Sequence, residues 1–222
     1  MKTIIISFLT AMIGLSASTS HGTEPAYCNK AFFMQKKIKY KESGLERWSA
    51  FKLGRITLAG VGIGNSDSTS VAKAAEALGQ VPSSDKYCSW YLNDGNTDAE
   101  RLFSAIYVSN PRGSTPQKVA KEYIQKLGSS FADAPINFMY CMEKYNYVAV
   151  GCNGNRHRGP TVFGMILSYS GCRPESAADI VNTLWGLNGV PEENRLGAIQ
   201  AAHNLGVQTP AESLKMRQMF EQ

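Results

Sequence analysis

Tyr147-Val-Ala-Val-Gly-Cys152-Asn-Gly-Asn-Arg-His-Arg158-Gly-Pro-Thr-Val-Phe-Gly-Met-Ile-Leu167 is the stretch whose reading decides the fold. An apolar, β-branched run ends at a cysteine, which predicts a buried strand over 145–150. Five residues separate Cys152 from Arg158, and an apolar run of helical character starts at Pro160. Strand, tight loop and helix start form an anion-binding layout, because backbone N–H groups and the helix dipole converge on the loop. Gly154 and Asn155 suit it, since a tight curl needs residues that tolerate left-handed backbone angles. The charges of Arg156, His157 and Arg158 would stabilise a thiolate at Cys152. Arg158 could also grip an anion through two parallel N–H bonds. The competing reading of the same residues is a disulfide cysteine followed by a basic turn.

Outward from this stretch, the 222-residue chain opens on Met1–Ser18, with one lysine, an apolar run and then small residues. That pattern is expected of a secretory signal peptide cut between Ser18 and Gly22, and its apolar run is too short for a membrane span. No later segment reaches the apolar length of a transmembrane helix. The expectation is a leader over 1–22 and a single α/β domain over 23–222 with its phosphate-binding loop at 152–158. The protein would be exported, either periplasmic or secreted. A hydrophobic content of 43% is enough for a real core. The net charge of +5, one unit of it from Lys2, mildly favours anionic partners. It lacks the dense basic patch of a nucleic-acid binder, and the run Lys36–Lys41 reads as a solvated face.

All five cysteines, Cys28, Cys88, Cys141, Cys152 and Cys172, follow the leader. Export makes disulfides the default, and an odd count leaves at least one thiol outside any intramolecular pair. If Cys152 is that thiol, three pairings of the other four stay open. If it is not, Cys141 and Cys172 are its nearest partners.

In chain order, residues 23–50 read as a polar N-terminal segment, with a short helix or strand over Cys28–Met34. Arg55–Gly64 is a glycine-punctuated strand, and Val71–Leu78 a helix that stops at Gly79 and Pro82. Strands follow at Tyr87–Leu92 and Phe103–Val108, with a short helix near Thr97–Leu102 between them. Pro116–Leu127 is a helix with apolar residues at helical spacing, capped by Ser114 or Thr115. Ile136–Cys141 and Tyr145–Val150 read as two strands, joined as a hairpin by Met142-Glu-Lys144. Helices fill the remainder: Pro160–Ser170, Pro174–Leu187, Pro191–Leu205 and Pro210–Phe220. Alternating strands and helices followed by a helical end predict an α/β fold, with a central mostly parallel sheet flanked by helices and a helical C-terminal portion.

Cys152 and Arg158 stand as Cys-x5-Arg, and the finer pattern is Cys152-x-Gly154-Asn155-x-x-Arg158-x-Pro160. The spacing resembles the phosphate loop of the cysteine-dependent protein-tyrosine and dual-specificity phosphatases. The Gly-Asn-Pro detail looks like their low-molecular-weight branch. The late position in the chain, the helix before the loop and the run Gly171-Cys-Arg-Pro-Glu-Ser-Ala-Ala-Asp-Ile-Val181 after it are similar to the dual-specificity arrangement. The motif covers about nine residues, the architecture roughly 55–190.

The resemblance implies a phosphatase-like fold and two-step phosphoryl transfer, with Cys152 as nucleophile and Arg158 as phosphate clamp. The amides of Asn153, Gly154, Asn155, Arg156 and His157 would hold the phosphoryl oxygens. It implies an anionic phosphorylated substrate and neither a cofactor nor a metal. Three positions depart from the family pattern. Gly151 stands where the dual-specificity type has histidine, and Gly159 where a serine or threonine helps the cysteine leave. The expected general-acid loop reads Ser109-Asn110-Pro111-Arg112, without a carboxylate. Asp94, Asp98 and Asp133 are the candidate general acids instead.

Other patterns carry less. His157 adjoins the loop cysteine too closely in sequence for a hydrolase dyad, and His203 is the distant alternative. No paired Cys-x2-Cys or His-x3-His spacing suggests a metal. Trp48, Trp90 and Trp185, with several tyrosines, read as core packing. Gly60-Val-Gly-Ile-Gly64 lacks the spacing of a dinucleotide loop. Two functions stand at this level: an exported phosphatase, or an exported, disulfide-stabilised binding protein without catalysis.

Overall fold

A computed structural model describes residues 23–38, 49–62, 89–93, 104–132, 138–187 and 189–222. Six strands form one sheet: β1 (Lys37–Ile38), β2 (Ser49–Leu53), β3 (Ile56–Gly62), β4 (Ser89–Asn93), β5 (Ser104–Tyr107) and β6 (Tyr147–Cys152). Their order is β1-β2-β3-β6-β4-β5. The first three make an antiparallel meander, turned between β2 and β3 at Gly54-Arg55, where Gly54 has a φ of +51°. β6 pairs in parallel with β3 on one side and with β4 on the other, and β4 with β5.

Seven helices accompany the sheet among the described residues. They are α1 (Lys30–Gln35), α2 (Pro116–Ala132), α3 (Phe138–Tyr145), α4 (Arg158–Tyr169), α5 (Pro174–Trp185), α6 (Glu192–Gln208) and α7 (Pro210–Glu221). Helix outweighs strand, and half of the strands belong to the meander. The expected central, mostly parallel sheet flanked by helices is therefore corrected to a mixed sheet in a mostly helical body, and the phosphatase-like fold expected with it is set aside.

Two local readings explain the difference. Ser49–Leu53 was expected to start as polar N-terminal segment, yet it pairs along its whole length with Ile56–Gly60. The second of these readings concerns Ile136–Cys141, expected as a strand. Its described part lies in α3, where Phe138, Met139, Cys141 and Met142 are buried in a helical stripe. A short apolar run does not separate strand from buried helix by periodicity. The chain turns at Asn146, with φ +52°, and only then enters β6. The expected helices at 71–78 and 97–102 lie outside the described residues, as does the leader.

α4 is the helix at the centre. Gly159 through Tyr169 are all buried, between the sheet and the pair α5 and α6. An aromatic cluster ties distant segments to it. Phe33 of α1 lies 4.4 Å from Phe51 of β2, and Phe163 of α4 lies 5.9 Å from Phe51 and 5.0 Å from Trp185, centroid to centroid. Such pairs add to the stabilisation from burying their area. No helix among the described residues is long and apolar enough to cross a membrane.

Residues 24–30 are fastened to 170–179. Cys28 and Cys172 form a disulfide. Tyr27 donates its hydroxyl to the Ser170 carbonyl at 2.8 Å. Both oxygens of Glu24 accept from Arg173, one from its backbone N–H and one from its Nε, each at 2.8 Å. Burial pushes the Glu24 carboxyl upward. The bonds from the Arg173 backbone, Ser176 and the Arg173 side chain outweigh this and hold it below its ordinary 4.5.

A carboxyl depressed on folding adds stability that is present above the unfolded value and is lost as pH falls through the folded one. Glu24→Gln should therefore lower unfolding free energy by about 0.5–1 kcal/mol at pH 7, the usual worth of a carboxylate at a helix start. Urea titrations at a series of pH values should show that difference shrinking below about pH 4.5.

Candidate functional site

β6 delivers Cys152 to the carboxyl end of the parallel strands, where ligands of such sheets bind. The side chain is 4% exposed and its thiol is free. Cys172 is bonded to Cys28, so neither pairing considered for Cys152 is formed. Cys141 is buried in α3, and Cys88 lies outside the described residues. The Gly159 N–H, in the first turn of α4, donates to Cys152 Sγ at 3.4 Å. A helix-start amide thus points at the sulfur.

Asn155 sets the curl of the loop. It is fully buried with a φ of +43°, and its backbone N–H donates to the Cys152 carbonyl at 3.2 Å. Its side-chain amide lies between Gly60 of β3 and Gly159 of α4. A β-carbon at 159 would come within 2.1 Å of Asn155 Oδ1, and one at 60 within 3.1 Å of Asn155 Nδ2. Gly159 is thus explained by packing: the room for a hydroxyl side chain is filled by Asn155. Gly60 likewise serves close approach, here to Asn155 and the Trp185 ring.

The far side of the loop is bonded to the helices. Thr161 Oγ1 donates to the His157 carbonyl at 2.8 Å. Arg195 of α6 is 1% exposed and donates to three uncharged acceptors: Asn182 Oδ1 at 2.7 Å, the Gly186 carbonyl at 3.0 Å and the Arg156 carbonyl at 3.1 Å. Burial pushes its guanidinium down to about 10. It stays cationic at neutral pH.

Arg158 is half-buried, and its Nε donates to the Val108 carbonyl just past β5 at 2.8 Å. It lines an open cleft of about 480 Å³ with Tyr107, Ser109, Asn110, Lys118 and Glu122. The cleft wall over 108–114 is fastened throughout. Glu122 accepts from the Ser109 N–H at 2.7 Å, and Tyr123 donates to the Ser109 carbonyl at 2.9 Å. Asn194 donates to the carbonyls of Pro111 and Ser114 at 2.9 and 2.6 Å. Burial raises the Tyr123 phenol far above its ordinary value, so it remains a donor.

No family model matches the chain, and no curated protein or solved structure matches it either.

Of the residues expected from sequence, Cys152, Asn153, Gly154, Asn155, Arg156, His157 and Arg158 form one loop between β6 and α4. Asn153 is exposed, Asn155 buried and the remaining four from Gly154 to Arg158 half-buried. The candidate acids Asp94, Asp98 and Asp133 lie outside the described residues. His203 lines a separate pocket with Tyr169, Ser213 and Arg217. Sequence reasoning missed Glu122, Tyr123, Asn194 and Arg195. A signal existed for the last two: in α6 the buried set is Asn194, Arg195, Ala198, Ile199, Ala202 and Gly206, which puts an amide and a cation on an apolar stripe. Core arginines are rare unless they are bonded to something specific.

Gly159→Ser places a hydroxyl side chain in the space the Asn155 amide fills, and it should destabilise the fold by about 1–3 kcal/mol through overpacking. Chemical denaturation would measure it. The cost should largely vanish in an Asn155→Gly background, which removes the clashing amide.

Proposed function

We propose that the chain is an exported cysteine-dependent phosphatase that hydrolyses a phosphate monoester through a cysteinyl-phosphate intermediate. The observation that carries this reading is the free thiol of Cys152, aligned under the Gly159 N–H at the start of a buried helix, with Arg158 closing the loop. The Cys28–Cys172 disulfide suits an oxidising compartment outside the cytoplasm.

In the first step the Cys152 thiolate attacks phosphorus, the S–P bond forms and the ester P–O bond breaks. The leaving oxygen takes a proton from a general acid. Asp94, Asp98 and Asp133 are the candidates from sequence. Glu122 is a further carboxylate, on the wall of the cleft that Arg158 lines. In the second step water attacks the phosphoryl group, releasing phosphate and restoring the thiolate. The amides of Asn153, Gly154, Arg156 and His157 and the Arg158 guanidinium carry the negative charge of both transition states, while the Asn155 N–H is turned inward to the Cys152 carbonyl. The second step lacks a hydroxyl at position 159, because Gly159 and Asn155 fill that space.

A phosphate-binding protein without turnover is the second reading, favoured by the same Asn155–Gly159 contact. It keeps the anion site and drops the assistance to the leaving cysteine.

The test is p-nitrophenyl phosphate hydrolysis by the wild type, Cys152→Ser and Arg158→Ala. Cys152→Ser should abolish turnover, and Arg158→Ala should lower kcat/KM by about 10²–10³-fold, the usual cost of losing a transition-state donor. Rapid mixing should show a burst of nitrophenolate equal to the enzyme concentration, since breakdown of the intermediate is the slower step. Equal rates from wild type and Cys152→Ser would sink the mechanism. Phosphate binding without any burst would favour the second reading.

A further inference from the structure

We propose that Arg195 is a positioning residue of the phosphate loop: by holding the Arg156 carbonyl from α6, it aims the His157 N–H at the anion and sets a buried positive charge behind the loop. This inference rests on the phosphate-loop reading above.

The geometric part follows from the peptide bond. The unit joining Arg156 to His157 is planar, and in a trans peptide the C=O and N–H point to opposite sides. Arg195 Nη2 binds the Arg156 oxygen at 3.1 Å, so the His157 N–H is directed away from α6. The next unit is handled the same way, with the His157 carbonyl held by Thr161 Oγ1 and by the Thr161 N–H. Two successive amides at the mouth of α4 are thereby oriented before any ligand arrives, as an anion cradle requires.

The electrostatic part follows from what Arg195 lacks. Its three acceptors are two carbonyls and a side-chain amide, none of them charged. A neutral donor such as glutamine would serve some of them without burying a charge, and burial of an uncompensated cation is costly. Among the described residues, Arg195 Nε and Arg156 Nε are both buried without a hydrogen-bond partner. Among the described residues no carboxylate bonds to Arg195, and a dianion in the loop would compensate its charge. Removing Arg195 should therefore harm anion binding beyond what it does to the fold.

The experiment titrates inorganic phosphate calorimetrically into wild type, Arg158→Ala, Arg195→Lys and Arg195→Met, with the melting temperature of each measured without phosphate. Wild type should bind, and Arg158→Ala should weaken binding, locating the site. Arg195→Met should bind about tenfold or more weakly, the usual effect of losing a charged hydrogen-bonding group. Arg195→Lys keeps the charge but loses the planar fork, and it should recover part of the affinity while remaining weaker than wild type. Should Arg195→Met fail to fold, Arg195→Lys decides alone. Variants that melt lower yet bind phosphate as wild type does would overturn the inference, since Arg195 would then be structural only. Absence of phosphate binding by wild type would overturn the phosphate-loop reading itself.

Discussion

A loop that turns its amides toward an anion must turn its carbonyls the other way, and each outward carbonyl then needs a donor inside the protein. In the segment from Cys152 to Arg158 the structure shows the carbonyl side of this requirement. The Cys152 carbonyl takes the Asn155 N–H, the Arg156 carbonyl takes Arg195, and the His157 carbonyl takes Thr161. Those donors come from the loop, from α6 and from α4, so loop shape and helix packing are one arrangement.

Close approach supplies the other half of the site. Asn155 is admitted between β3 and α4 because positions 60 and 159 carry no side chain. The resulting contact is fully buried, and the Asn155 amide occupies the space that a side chain at 159 would need. The cleft wall beside Arg158 is built in the same spirit. Glu122, Tyr123 and Asn194 fasten three of its residues, which leaves it shaped before a ligand enters.

The loop itself was legible because its signals are local. A strand ending in cysteine, residues fit for positive φ and an arginine at the helix start sit within seven positions, and backbone chemistry alone links them. The later helices were legible for a related reason: prolines at 174 and 210 mark first turns and the apolar spacing is regular. The sheet was not. Whether Ser49–Leu53 pairs depends on β3 across the turn, and whether 138–141 is strand or helix depends on what the apolar stripe faces. Both are tertiary decisions. Arg195 was hidden in the same way, since nothing near it in sequence names its partner in the loop, 39 residues earlier.

The bond between Cys28 and Cys172 has a consequence for how the chain is made. Its partners are separated by 144 residues, and Cys88, Cys141 and Cys152 all lie between them. A chain oxidised in the order in which it emerges N-terminus first meets three wrong partners for Cys28 before the right one exists. The native pair then requires either that Cys28 stays reduced until synthesis is nearly complete, or that an early bond is exchanged through a mixed disulfide. Exchange of this kind takes seconds to hours, depending on oxidant and isomerase. On the second route, pairing Cys28 with Cys172 needs exchange through Cys88, Cys141 or Cys152, each of which lies between them in sequence.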